Sequence, residues 1–96
     1  MINSKQRSKL RSLAHHLKPI VIIGKLGVTE GVVNSIDEAL NTHELIKVKF
    51  SMNKDFKSKL IQSCNDTLSA SIVGEIGHTL IIFRPHKDKE KRKINL

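Results

Sequence analysis

Residue types that could carry out acid–base, nucleophilic or metal chemistry are present, but their spacing keeps them apart. His15 and His16 are adjacent, so on a helix they point about 100° apart and cannot act as i and i+4 metal ligands. Cys64 lies on a predicted apolar stripe, and Asp37 and Glu38 are sequence neighbours that diverge on a helix. We therefore expect no catalytic residue, no metal site, no cofactor and no small-molecule substrate, and the chain is not predicted to be an enzyme.

A loop with glycines at positions 24 and 27 offers a different chemistry. Gly24, Lys25, Leu26 and Gly27 join a β-branched apolar run to a predicted helix. Glycine lets another backbone approach closely, and the amides at the start of a helix carry a partial positive charge, to which Lys25 adds a full one. A phosphodiester backbone fits such a loop, as in the G-x-x-G loops of KH domains. A turn that simply needs glycine explains the same four residues, and neither the Walker spacing nor the dinucleotide spacing is present.

The net charge of +8 lies at the two ends of the chain. Residues 1–18 contain five basic and no acidic residues, residues 84–96 contain six basic and two acidic ones, and residues 19–83 sum to −1. This distribution predicts a polyanionic partner, with nucleic acid first and an acidic membrane surface second. Solubility alone would also explain basic ends. The basic residues expected to reach the partner from the first helix are Lys5, Arg7, Lys9 and Arg11.

Apolar spacing, capping residues and turn residues predict the elements that hold these side chains. The predicted order is α-β-α-β-α-β-β, at residues 4–17, 20–23, 29–42, 45–50, 55–68, 70–76 and 79–83. This order predicts an α/β (α+β) fold in which residues 1–85 form a single compact domain, with helices on a mixed four-stranded sheet. Residues 86–96 are predicted to be a basic, flexible tail that frays or orders only on a partner.

Two finer expectations concern the loop's neighbours. Four consecutive β-branched or aliphatic residues at 20–23 predict a strand that is internal to the sheet and covered on both faces. Gly31, in the first turn of the second helix, costs about 1 kcal/mol relative to alanine. It either lets this helix pack closely on the sheet, which we favour, or leaves room for an incoming backbone.

Composition limits the class of protein. The lone cysteine excludes an internal disulfide framework, and the longest aliphatic runs are too short to span a bilayer. We therefore expect a cytoplasmic monomer that does not engage a membrane. The chain contains three phenylalanines and no tryptophan or tyrosine, which disfavours stacking on many single-stranded bases and favours recognition of the backbone and shape of structured RNA.

Three segments, IGKLGVTEGVVNSIDEAL, HELIKVKF and VGEIGHTLIIFRP, resemble stand-alone bacterial CRM domains (chloroplast RNA splicing and ribosome maturation) of the YhbY type. The resemblance covers residues 4–85. It implies a fold similar to the C-terminal domain of translation initiation factor three, RNA binding, and a role in ribosome biogenesis on 23S ribosomal RNA (rRNA) in precursors of the large ribosomal subunit. On the family pattern, Gly24, Lys25, Leu26 and Gly27 match the RNA-contacting loop, and Arg84 matches the basic residue after the last strand.

Two hypotheses of different classes follow. In the first, the chain docks structured rRNA through its first helix, the G-x-x-G loop and the basic end of the last strand. In the second, it is a protein-interaction module that contacts ribosomal proteins, and its charge acts only as an electrostatic guide. Binding to protein-free rRNA separates the two.

Overall fold

The structure is a computed structural model and describes residues 2–50 and 55–96. Its elements follow the predicted order, with boundaries that differ by a few residues. They are α1 (Ser4–Ala14), β1 (Val21–Ile23), α2 (Glu30–His43), β2 (Leu45–Phe50), α3 (Asp55–Ser63, followed by a π-helical turn at Cys64–Leu68), β3 (Ser71–Ile76), β4 (Thr79–Phe83) and a 3-10 turn (Lys89–Lys91).

The four strands form one mixed sheet in the order β1-β2-β4-β3. β1 is parallel to β2, and β4 lies antiparallel between β2 and β3. Helices α2 and α3 cover one face, where Ile36, Leu40 and Leu60 pack on the inward residues of β2 and β4. Helix α1 covers part of the other face, where Leu10 and Ala14 are fully buried against a second, smaller core. The predicted α+β class and mixed four-stranded sheet are confirmed.

The expectation that residues 20–23 form an internal strand is wrong, because β1 is at the edge of the sheet beside β2. Ile23 is fully buried on the face covered by α2 and α3, whereas Ile22 on the opposite face is 62% exposed. Helix α1 ends at Ala14 and lies mainly over β2, β4 and β3, so it leaves that side of β1 uncovered. The apolar run of β1 therefore forms a strand that is buried on one face only.

The helix starts agree with the sequence, whereas the end of α1 does not. Asn3 caps α1 through a reciprocal capping box with Gln6, with hydrogen bonds of 2.8 and 3.0 Å, and Thr29 caps α2. Helix α1 was expected to continue to residue 17 but ends three residues earlier. Leu13, within α1, and Leu17, beyond its end, are 43% and 38% exposed and line an apolar groove.

Residues 86–96 fold back onto the domain, which differs from the expected fraying. The side chain of Glu44 is 1% exposed, and its carboxylate accepts hydrogen bonds from the backbone N–H groups of His86 (2.8 Å), Lys93 (2.6 Å) and Ile94 (3.2 Å). A buried carboxylate needs such donors, and the tail supplies them. Ile94 also packs against the smaller core. The division of the chain at residue 85 stays a prediction.

Candidate nucleic-acid interface

The GKLG loop (residues 24–27) is a tight turn at the carboxyl end of β1. The N–H of Gly27 donates to the carbonyl of Gly24 at 3.0 Å, and the N–H of Thr29 donates to the carbonyl of Gly27 at 3.1 Å. Lys25 is exposed, and Leu26 is 88% exposed. The tip therefore presents one cation and one apolar side chain to solvent.

Gly27 is required by the fold as well as by the turn. Its φ of +75° lies in the left-handed region, and its Cα is buried against Phe56 of α3. A Cβ at this position would lie 2.6 Å from Cε1 of the Phe56 ring. Any side chain would therefore be strained in the backbone and would collide with the ring. Packing on α3 fixes the position of the loop tip.

The start of α2 lies directly after the loop. Thr29 Oγ1 accepts a hydrogen bond from the N–H of Val32 at 3.2 Å. Glu30 is an exposed acid in the first turn, where it interacts favourably with the helix dipole and would repel a phosphate. Gly31 is exposed, and among the described residues outside its own helix backbone an added Cβ would meet only Thr29 Oγ1, at 3.8 Å. The interpretation that Gly31 allows close packing on the sheet is wrong, and room for an incoming backbone remains the alternative.

Arg7 and Arg11 of α1 face strand β3. Nη1 of Arg7 donates to the carbonyls of Ile72 (2.7 Å) and Val73 (2.9 Å), where a bulge shifts the β3–β4 register. The guanidinium of Arg11 lies over Gly74, so that a Cβ at Gly74 would be 2.8 Å from Arg11 Nε. The guanidinium of Arg7 thus ties α1 to β3, while Arg11 remains exposed.

Lys5 and Lys9 lie on another side of α1, and both are exposed. Nζ of Lys9 donates to the carbonyl of Asn95 at 2.5 Å. This contact places the C-terminal end of the chain beside the first helix.

Arg84 has a structural role that its sequence position did not reveal. Its Nη1 donates to Asp37 Oδ1 (2.8 Å) and to the carbonyl of Leu68 (2.9 Å). Its Nη2 donates to the carbonyl of Asp37 (2.9 Å) and to Asn41 Oδ1 (2.9 Å). The side chain is 13% exposed. Its guanidinium joins α2 to the residues before β3. An RNA contact at Arg84 stays a prediction, and such a contact would have to replace these hydrogen bonds.

The structure also shows a surface that the sequence did not assign to the interface. On the sheet face that α1 covers only in part, one row of side chains crosses from β1 to β3, namely Ile22, Lys49, Thr79 and Ile76. We call these four residues the open strip. Ile22, Lys49 and Ile76 are exposed, and Thr79 is half-buried. In the sequence, Lys49 alternates with the apolar residues of β2, which indicates an exposed position but not which residues lie beside it.

The predicted site residues fall at two ends of the sheet. The loop follows the carboxyl end of β1, and the open strip and the turn at Gly77 lie at the same end. Arg84 lies at the opposite end, where β4 finishes beside the start of β2. Arg7 lies toward that end because it contacts the first half of β3. The structure therefore joins the loop to the open strip and separates both from Arg84.

Cys64 is buried in the larger core, whereas His15 and His16 are exposed after the end of α1. Burial raises the pKa of the Cys64 thiol to about 11, so this cysteine is protonated and unreactive at neutral pH. The rings of His15 and His16 contact each other edge to face, with centroids 5.4 Å apart. Within the described residues, no group of three or more histidine, cysteine or acidic side chains could hold a metal ion. No helix in the same residues is long and apolar enough to cross a membrane.

A family model described as the CRS1/YhbY (CRM) domain matches residues 2–84. The chain belongs to this family. The CRM match covers all four strands and the GKLG loop, and it ends at Arg84.

Related proteins and one solved structure match nearly the whole chain. A Haemophilus influenzae protein named "RNA-binding protein" is 43% identical over 99% of this chain and 94% of its own length. The Bacillus subtilis "Probable RNA-binding protein YqeI" is 36% identical over 100% of this chain and 99% of its own length. The solution structure of a Staphylococcus aureus protein whose description proposes RNA binding superimposes with a TM-score of 0.77, at 35% identity, over 99% of this chain and 100% of that one. The fold of the solved structure is thus shared over nearly the whole of this chain.

Proposed function

We propose that this CRM domain binds RNA and that the tip of the GKLG loop makes the central backbone contact. The observation that carries the proposal is the exposure of Lys25 and Leu26 on a loop whose shape is held by Gly27 and Phe56. Because the loop backbone is already held in place, binding does not have to order it, which favours binding. The excess charge of +8 and the names of the relatives support the same conclusion.

The RNA that we propose is structured rRNA, specifically 23S rRNA in precursors of the large ribosomal subunit. This proposal rests on the resemblance to YhbY-type CRM domains and on composition. The chain lacks tryptophan and tyrosine, so it has little means of stacking on many bases and is better suited to shape and backbone. We propose that it acts in the cytoplasm as a monomer that assists subunit assembly.

A salt series tests the loop contact. Lys25→Ala should remove about one phosphate contact, lowering the slope of log affinity against log salt by about 0.7 to 0.9. Lys59→Ala is the matched control, because Lys59 is an exposed lysine on α3. Binding to rRNA fragments is measured beside thermal melting of each variant. Equal slopes for parent and Lys25→Ala, with both folded, would show that Lys25 does not contact the phosphates.

Sedimentation of cell extract tests the identity of the RNA. At low salt the protein should migrate with precursors of the large subunit, at moderate salt it should be released, and crosslinks should map to 23S rRNA. Protein-free 23S rRNA should bind the purified chain. Binding to ribosomal proteins without binding to that RNA would instead establish the protein-interaction module.

A further inference from the structure

The open strip is a feature that the loop contact does not use. Most apolar side chains on a sheet face are covered, yet Ile22 is 62% exposed and Ile76 is 65% exposed. They lie at opposite ends of one row, with Lys49 and Thr79 between them. The row crosses three gaps between strands and is therefore about 14 Å long. Among the described residues, α1 packs mainly on β2, β4 and β3, and its end at Ala14 lies beside Ile76 without burying it.

The charge around the open strip is positive. Lys49 is within the row, and Lys47 lies two residues earlier on the same face, where its Nζ donates to the carbonyl of Leu17 at 2.9 Å. Arg11 lies over Gly74, beside the β3 end of the row. Glu75 faces the other side of the sheet, where its Oε2 is 2.6 Å from Lys57 Nζ. A polyanion therefore complements this face.

We propose that the open strip holds unpaired nucleotides of the bound RNA, an inference that rests on the proposed RNA binding. The apolar parts of bases and riboses would pack on Ile22 and Ile76, and phosphates would approach Lys49 and Arg11. Along the strip, Lys49 and Thr79 lie between two exposed isoleucines, an order that suits a phosphate held between two base or ribose groups of a single strand. A continuous duplex keeps its bases stacked inside, so it cannot offer them to a flat row of isoleucines.

The position of the strip connects it with the loop. Ile22 and the loop belong to the same strand end, since β1 finishes at Ile23 and the loop begins at Gly24. Leu26 at the loop tip is a further exposed apolar side chain beside a lysine. An RNA strand that runs from the loop along the sheet would therefore contact an apolar side chain beside a lysine at the loop tip and again at the open strip. Aliphatic contacts of this kind would not depend on the identity of the base.

The test compares single-stranded oligouridine with an oligouridine–oligoadenine duplex, measured by fluorescence anisotropy. The double variant Ile22→Thr/Ile76→Thr keeps β-branching at two exposed positions, so that it preserves strand propensity. Its affinity for the single strand should fall about fivefold, because roughly half of each side chain loses apolar contact. Its affinity for the duplex and its salt slope should not change. Lys49→Gln should instead lower the salt slope for the single strand by about 0.7.

Leu96→Thr is the matched control, because Leu96 is a comparably exposed apolar residue (47%) in the C-terminal tail; neither affinity should change. Melting curves confirm that each variant is folded. If the double variant binds oligouridine as tightly as the parent, or loses single strand and duplex equally, the proposal is overturned. The proposal would also be overturned if the parent chain bound rRNA but did not bind single-stranded oligouridine. The proposed RNA binding would then still stand. If the Ile22→Thr/Ile76→Thr variant instead lost binding to an acidic protein, the open strip would be a protein-binding surface and the proposal would be overturned.

Discussion

Gly27 and Gly31 lie four residues apart, but the fold requires only Gly27. Gly27→Ala should lower the free energy of unfolding by about 2–4 kcal/mol, because the left-handed backbone is strained and the new Cβ meets the Phe56 ring at 2.6 Å. Gly31→Ala should raise it by about 0.5–1 kcal/mol, since alanine favours the helix and has space. Urea unfolding of both variants measures these changes. Equal destabilisation would contradict the assigned difference.

Variants at Gly27 and Gly31 also distinguish an effect on folding from an effect on RNA binding at the loop. A double aspartate variant at Gly24 and Gly27 would damage packing on Phe56 before it reported on RNA. Gly31→Ala is more informative, because it should leave the domain folded and more stable. A fall in its RNA affinity would indicate that RNA backbone occupies the space beside the first turn of α2, and an unchanged affinity would indicate that it does not.

Single residues could be predicted where their partners are local in sequence. Thr29 caps α2 through a residue only three positions away, so a local sequence pattern is enough to indicate the cap. Arg84 bonds to Asp37, Asn41 and Leu68, which are 16 to 47 positions away. Only folding brings such partners together, so the sequence showed a basic residue near a strand end and not what it binds.

At the scale of elements, the end of α2 controls the C-terminal tail. Burial of the Glu44 carboxyl raises its pKa, but hydrogen bonds from the backbone N–H groups of His86, Lys93 and Ile94, helped by the charge of His86, outweigh burial and hold the pKa below its ordinary value of 4.5. A lowered pKa means that docking is fully stabilised above pH 4.5 and is lost as pH falls through the lowered value. The amide NMR signals of residues 93 and 94 should therefore shift toward those of a free chain on acidification below pH 4.5.

A matched pair of variants tests whether Glu44 is the cause. Glu44→Gln cannot ionise, so the acid transition of the tail should disappear and the tail should already be weakened at neutral pH. Glu38→Gln alters an exposed glutamate of the same helix and should leave the transition in place. An unchanged acid transition in Glu44→Gln would assign it to another group.

Element order was predictable because helices and strands have different apolar periods, and each of the seven predicted elements is present. The position of β1 at the edge of the sheet was not predictable, because an apolar run in the sequence does not indicate how much of the sheet a distant helix covers. Ile22 is exposed because α1 packs mainly on β2, β4 and β3 rather than on β1. Which face of β1 is buried is therefore decided by helices that are distant from it in sequence.

At the scale of the whole molecule, folding brings the two basic ends of the sequence together. Ile2 and Ile94 pack against the same small core, and Lys9 bonds to the carbonyl of Asn95. The sequence predicted charge at both ends but not their contact, since Glu44, which anchors the tail, gave no signal in composition. Lys9 of the N-terminal helix therefore adjoins the basic tail, whereas Arg11 of the same helix lies beside the open strip.

Deleting the tail would mix two effects, because its contacts belong to the fold. The appropriate change is Lys87→Gln/Lys89→Gln/Lys91→Gln, since these exposed side chains are separate from the backbone groups that bind Glu44. The triple variant should remain docked and folded. Its affinity should fall by a similar factor for every RNA, with a salt slope lower by up to about 0.7 for each lysine that contacts a phosphate, because counterion release is indifferent to base identity.

Deletion of residues 87–96 is the informative contrast to the triple variant. It leaves the Glu44 carboxylate buried without two of its donors and removes Ile94 from the small core. It should therefore lower the melting temperature as well as the affinity, whereas the triple variant should lower the affinity alone. Both are measured with an rRNA fragment and an unrelated RNA of equal length. A triple variant that lost its preference for the rRNA fragment while keeping its affinity for the other would show that the tail lysines specify the RNA.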